Sequence, residues 1–380
     1  MVIRIIRIAQ EMFLTILIVF ASLMGLIILH EFGHFILAKI FGVKVEEFGI
    51  GYPPRLIGKR FGETLYSLNL LPFGAFVKIP GEIGKTDDKR SFSSQSVSKR
   101  ILIVLGGVLS FWVISAILFS IVFTLGTRMA IEDTENFNLV SPKVQIAQIA
   151  PNSPAQIAGL EPGDAIEEFK IPYKAEPSGF RQNSKFKIER VKELQELTEK
   201  YKGQEITLTI KKGKEILDVT LIPRVSPPEG EGPMGVALVR TAIKSYPWWK
   251  SPWQGILATI NMTGAIIQGY GRAIKNVISG GPSGVQMMGP VGVFHLFWQV
   301  SQLGVNYFLQ FLGMIAIYFA IFNILPIPAL DGGKLLFLGI EAIRKKPVSE
   351  KIEQNVTTAF FALLIALMIL VTIKDIARLF

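Results

Sequence analysis

The sequence predicts a polytopic α-helical membrane protein of about four transmembrane helices, with a small folded domain inserted between them. Three observations carry this. Half of the 380 residues are hydrophobic and the mean hydropathy is +0.42, well on the apolar side for a chain of this length. The apolar residues are gathered into four uncharged runs, Met12–Leu29, Ile101–Thr127, Asn276–Leu330 and Gln354–Ile373, of 18, 27, 55 and 20 residues. Between the second and third, residues 142–225 change to mixed polar and apolar sequence with short alternating runs.

A helix needs roughly 20 mainly apolar residues to cross a bilayer, so the runs predict spans at about 12–33, 101–126, 305–328 and 355–374. The first is read as a retained span rather than a cleaved signal peptide. Its apolar run passes straight into His30-Glu31-Phe32-Gly33-His34 with no small-residue cleavage site. The Gly/Pro-rich stretch 279–292 is a poor helix. Residues 251–271 are uncharged but polar in places, which favours a helix on the membrane surface, with a fifth span as the alternative.

The formal charge is +10. Segment 41–100 holds ten Lys/Arg, and Lys334, Arg344, Lys345, Lys346 and Lys351 lie between the last two spans. The positive-inside rule places both segments in the cytoplasm and residues 128–250 outside. No aromatic-basic interleaving points to nucleic acid. The chain has no cysteine, which excludes disulfides, thiolate metal sites and cysteine nucleophiles.

In the insertion, Lys143–Ala150, Glu205–Lys211 and Leu217–Pro223 alternate as strands do. Lys211-Lys212-Gly213-Lys214 suits the turn of a hairpin, and Glu189–Tyr201 spaces Val191, Leu194 and Leu197 along one helical face. About 80 residues can form a small independent core. Residues 171–187 look like a loop insertion. Residues 226–250 read as a Pro/Gly linker ending in Tyr246-Pro247-Trp248-Trp249-Lys250, a composition suited to a membrane interface.

His30–His34 fits H-E-x-x-H, a signature of metalloproteases. Residues four apart share a helix face, so two imidazoles there can hold one Zn²⁺, with Glu31 placed as general base. Such a pattern arises by chance in many chains. Here, however, two of only three histidines form it, and ionisable residues in an apolar span are costly unless they function. A catalytic zinc ordinarily has three protein ligands. His295 and Asp331 are candidates for the third. Asp331 is the stronger, being the first charge after 55 uncharged residues and following helix-breaking Pro326 and Pro328. A helix-capping aspartate is its alternative, and His295 reads as an interfacial histidine.

With these motifs the sequence resembles the site-2 protease family of intramembrane metalloproteases, close to bacterial regulators of envelope stress. The likeness covers nearly the whole chain and is most specific at His30–His34 and Asn323–Gly333. Ser153–Ile166 resembles part of a PDZ domain. The resemblance implies one Zn²⁺ per chain held by His30, His34 and Asp331, Glu31 as base, and Asn323 holding substrate backbone. It also implies a membrane-associated β-hairpin around Tyr66–Lys78, whose Phe73, Gly74, Ala75, Phe76 and Val77 meet substrate, and an extracytoplasmic PDZ domain with Gly159 and Leu160 in a ligand-binding turn. The domains expected are 1–127, a membrane core; 142–225, the PDZ domain; 226–275, linker and interfacial helix; and 276–380, the rest of the core. The implied activity is cleavage of transmembrane protein substrates, such as anti-sigma factors or signal-peptide remnants, in a bacterial inner membrane, with lipid and no nucleic acid as partners. A non-enzymatic zinc-containing PDZ adaptor is the rival reading, and a transporter a third. Two positions depart from the family: Gly107-Val108-Leu109-Ser110-Phe111 replaces Gly-Pro-x-x-Asn, and Lys334 replaces a histidine after Gly332-Gly333.

Overall fold

The computed structural model describes residues 2–379 apart from 83, 85, 136–138, 172–184, 214 and 282–287. In chain order the first elements are α1 (Val2–Ile40), β1 (Glu47–Phe61), β2 (Thr64–Lys78) and α2 (Val97–Leu125). Next come β3 (Thr127–Ala130), β4 (Val140–Ile149), α3 (Pro154–Ile157), β5 (Ala165–Lys170), β6 (Lys185–Lys187) and α4 (Val191–Lys200). Then follow β7 (Ile206–Lys212), β8 (Glu215–Leu221), β9 (Val236–Lys244) and α5 (Ser251–Ile278). Last are α6 (Pro290–Gln302), α7 (Val305–Ile324), α8 (Asp331–Arg344) and α9 (Glu350–Leu379). The chain divides into two compact units, residues 1–124 with 247–380, and Leu125–Tyr246.

In the first unit, four helices are long and apolar enough to cross a membrane: Phe13–Ile40, Val97–Leu125, Val305–Ile324 and Glu350–Ala377. These are the four spans expected, with shifted ends, the largest shift being in α1. α1 does not stop near residue 33 but runs to Ile40, so His30–His34 lie inside the helix. It stops where Gly42 takes φ +72 and Val43 N–H bonds back to the Ala38 carbonyl, a glycine C-cap. The core packs Val19 and Leu26 of α1, Val108 and Phe111 of α2, Phe297 of α6 and Leu312, Ala316 and Ala320 of α7. Arg100 of α2 and Glu341 of α8 form an ion pair between largely buried side chains at 2.5 Å.

Two helices were not anticipated in this form. α6 begins at Pro290 within the Gly/Pro-rich stretch, and Asp375 of α9 accepts from the backbone N–H groups of Gly289 and Gly292 there. α5 is not among the four apolar helices, yet it lies lengthwise against α2. Gly255 abuts Ala116 and Ser120, Thr259 Oγ1 is 3.3 Å from Ser115 Oγ, and Trp112 Nε1 donates to Thr263 Oγ1 at 3.1 Å. The surface-helix expectation did not foresee this antiparallel seam, because Gly255, Thr259 and Thr263 are weakly apolar yet let helices approach closely.

β1 and β2 are long and bent. Glu47–Ile50 lies between Leu65–Leu68 on one side and Ala75–Lys78 on the other, and Arg55–Phe61 continues outward along Thr64–Asn69. The final stretch of β2, Ala75–Lys78, is thereby left at one edge of the sheet.

The second unit holds a seven-stranded sheet in the order β3-β9-β4-β5-β7-β8, with β6 also paired to β5. Its core is Val144 and Ile146, Ile206, Leu208 and Ile210, Phe169 and Leu221, covered by Leu194 of α4. The hairpin turn between β7 and β8 has Gly213 at φ +61; Lys214 lies outside the described residues. The stretch 226–250, read as a linker, contains β9, which pairs with both β3 and β4. Pro and Gly cluster only on its flanks, and Val236–Lys244 is free to join the sheet. Most of the expected loop at 171–187 lies outside the described residues; Lys185–Lys187 is a strand.

Candidate metal centre

The site starts with a close helix crossing. A Cβ on Gly33 would sit 2.2 Å from the Gly106 carbonyl oxygen, and one on Gly106 would sit 2.6 Å from that of Gly33. Backbone therefore meets backbone where α1 passes α2, as small residues allow in membrane helices. Next to the crossing, a Cβ on Gly107 would fall 2.1 Å from His34 Nε2. The histidine ring occupies the space that this glycine leaves. His34 Nδ1 donates to the Ile103 carbonyl at 3.0 Å.

Asp331 arrives from the other end of the chain. Pro326 and Pro328 end α7, and the turn tightens through Ile327 N–H to Leu325 O at 2.6 Å and Leu330 N–H to Ile327 O at 2.9 Å. α8 then begins at Asp331 itself. Only glycine can follow: a Cβ on Gly332 would lie 1.9 Å from Leu325 O, and one on Gly333 would lie 2.3 Å from Pro328 Cα. The helix has no side-chain cap; the Asp331 carboxylate is turned toward α1 instead.

The three side chains converge. His30 Nε2 and His34 Nε2 are 3.3 Å apart, and Asp331 Oδ2 lies 3.3 Å from the first and 3.4 Å from the second. Among the described residues this is the group of His, Asp and Glu donors close enough to share one ion. Tetrahedral zinc with bonds of about 2.0–2.1 Å separates its ligand atoms by about 3.3–3.4 Å, so the triangle fits that ion. Asp331 Oδ2 is also buried without a hydrogen-bond donor. His295, the alternative third ligand, is exposed on α6 with Nε2 beside Gln299.

Glu31 faces the backbone N–H of Val77 in the edge stretch of β2, with His34 and Asp331 close by. The other hairpin residues lie along the same strand. Phe73 is exposed and packs edge-on to Phe20 of α1. Gly74, at φ +97, directs its N–H to Met24 Sδ. Ala75 is buried, and Phe76 covers Gly49 and stacks on Tyr52. Asn323 Nδ2 donates to Phe319 O one turn back. With Asp331, Lys334 and Glu353 it lines a cavity of about 300 Å³. Lys334, after Gly332 and Gly333, is paired with Glu82.

A sequence profile of Peptidase family M50 matches residues 18–367. The chain belongs to peptidase family M50. With four helices able to cross a bilayer, this M50 peptidase is an integral membrane protein. It is similar to "Putative zinc metalloprotease CPE1693" of Clostridium perfringens, 35% identical over 364 residues covering 94% of this chain and 98% of that protein. It is also similar to "Zinc metalloprotease RasP" of Oceanobacillus iheyensis, 26% identical over 459 residues covering 97% of this chain and all of that protein.

In the second unit of this M50 peptidase, Gly159 sits in an open turn at φ +78 and Leu160 is buried in the core. Neither lines the cavity of about 230 Å³ there, which is bounded by Gln195, Thr198 and Glu199 of α4 and by Met234, Val236 and Leu238. Sequence reading named Gly107 only as part of a departure from the family, without a role at the site, and passed over Gly106 and the Ile103 carbonyl. A Gly-Gly pair in an otherwise bulky apolar span was the available signal for a close crossing.

Proposed function

We propose that this M50 peptidase is a zinc-dependent endopeptidase that cuts transmembrane segments of membrane-protein substrates. The observation that carries the reading is the triangle of His30, His34 and Asp331 donor atoms inside apolar helices, with a carboxylate, Glu31, beside it. His30, His34 and Asp331 would hold the ion. When bound, zinc polarises the scissile carbonyl and acidifies water. Glu31 takes a proton from the attacking water and later delivers it to the leaving amine nitrogen.

Substrate helices shield their peptide bonds with their own hydrogen bonds and must be unwound first. The edge stretch Ala75–Lys78 supports strand addition as the means, since it lies beside Glu31 and offers backbone groups at a sheet edge. Phe73, Gly74, Phe76 and Val77 would flank the bound segment, and Asn323, which lines the cavity beside Asp331, would hold its backbone. The unit Leu125–Tyr246 is assigned as a PDZ domain outside a bacterial inner membrane, following the Lys/Arg distribution. The cavity between α4 and Val236–Leu238 would serve as its partner-binding groove. It would act as a filter, admitting substrates whose outer domains have been removed.

The test is Glu31→Gln in the purified full-length protein, against a single-pass substrate cut by the wild type. Zinc should stay bound, with cleavage reduced by about 10²–10⁴-fold. Undiminished cleavage removes Glu31 from the chemistry, and a wild type that holds zinc but cuts nothing favours the adaptor reading.

A further inference from the structure

α2 fixes the two histidines of the metal centre by different means. His34 has its Nδ1 tied to the Ile103 carbonyl. His30 has no such tie. Its Nδ1 is buried without a hydrogen-bond partner. The Gly107 carbonyl lies near the His30 ring and accepts from Ser110 Oγ at 2.6 Å. Metal-binding histidines ordinarily have the second ring nitrogen bonded to a carbonyl or carboxylate, which fixes ring orientation. For His30 that constraint is missing, and something else must hold the plane of the ring.

Phe111 is in position to do so. Its ring stacks on His30 with centroids 4.7 Å apart and planes 15° from parallel. Stacking occupies the face of the imidazole and leaves the edge nitrogens clear, so Nε2 still meets His34 and Asp331. The His34 ring closes on His30 edge-on, at 4.8 Å and 83°. Phe111 is itself immobilised: it is 2% exposed, and Phe319 of α7 packs edge-on to it at 5.6 Å and 67°. Aromatic pairs in these geometries are attractive and directional. A stacked plate clamped from behind resists tilting of the ring it covers.

We propose that Phe111 is a positioning residue for His30, setting the plane of that ring by stacking in place of a hydrogen bond. The proposal rests on the zinc reading above. It assigns a role to one of the two places where this chain departs from the family pattern, the phenylalanine standing where asparagine is usual.

The experiment measures metal binding rather than cleavage. Full-length wild type, Phe111→Leu, Phe111→Met, Phe319→Leu and His30→Ala are purified in detergent. Zinc affinity is measured by competition with a chelator, and the visible spectrum of the Co²⁺-substituted proteins reports ligand geometry. Phe111→Leu should weaken zinc by about ten-fold, the low end for loss of an orienting partner, and shift the cobalt bands. Phe111→Met, closer in volume, is read in the same way should the leucine variant not fold. Phe319→Leu removes the clamp behind Phe111 but leaves the stacked ring on His30, and should lower the melting temperature while weakening zinc and shifting the cobalt bands less than Phe111→Leu does. Native affinity and spectrum in the ringless variants would overturn the proposal, as would an equal loss in Phe319→Leu. His30→Ala separates the two levels. If it keeps zinc, the metal reading itself fails; if it loses zinc while Phe111→Leu does not, only the positioning role fails.

Discussion

His34 Nδ1 lies 3.0 Å from the carbonyl oxygen of Ile103, 69 residues away. A carbonyl can only accept, so Nδ1 carries a proton; in the tautomer that this fixes for the neutral ring the lone pair lies on Nε2, the atom that shares the triangle with His30 and Asp331 and would bind the metal. A backbone atom of α2 thus sets the tautomer of a residue on α1, and the Gly33–Gly106 crossing is what brings the two within reach.

Gly107→Ala tests that geometry. The added methyl group would overlap His34 Nε2 at 2.1 Å, so the ring must move and break either the Ile103 bond or the triangle. We expect zinc affinity to fall by about 10–100-fold, the range for disturbed ligand support. Gly25→Ala, on α1 with His34 and with nothing within 4 Å, should bind zinc as the wild type does. Chelator competition on both proteins checks this.

The ligand set predicts metal content. His30→Ala, His34→Ala and Asp331→Ala should each be isolated without stoichiometric zinc, because two remaining donors fall short of the three protein ligands usual for catalytic sites. His295→Ala should retain it. Elemental analysis of the purified proteins decides, and loss from His295→Ala with retention in Asp331→Ala would exchange the third ligand.

Glu63 ties the turn between β1 and β2 to its surroundings. Arg90 first, and then Lys39, hold its carboxyl down to about 2 from an ordinary 4.5. A lowered folded-state pKa stabilises above the unfolded value and is lost as protons arrive, so the window runs from about pH 4.5 down to about 2. One third of the side chain is exposed, which limits the effect to roughly 0.2–1 kcal/mol at neutral pH. Glu63→Gln should therefore melt slightly lower than wild type at neutral pH, and the gap should close on acidification through that window. A constant gap would show that Glu63 acts through packing.

The orientation can be tested directly, since the chain contains no cysteine. Single cysteines replacing Lys89 and Lys185 should be labelled by an impermeant reagent from the cytoplasmic and the external side, respectively. The reverse labelling would invert the topology.

What the sequence determined by itself was whatever depends on spacing or on a run. Uncharged stretches of span length gave the four membrane helices, and His30 and His34 share a face because they are four apart on one helix. Asp331 stood out because it ended 55 uncharged residues. α6 and β9 were hidden by local composition. Pro and Gly on their flanks read as breakers, whereas an N1 proline starts α6 and sheet pairing on both sides sustains β9. Only the tertiary structure could decide contacts across the chain: that the Ile103 carbonyl meets His34, that Gly107 vacates room for an imidazole, that Val77 faces Glu31, and that Phe111 lies flat on His30. Each joins elements far apart in sequence, and periodicity along one helix or strand carries no record of what its face will meet.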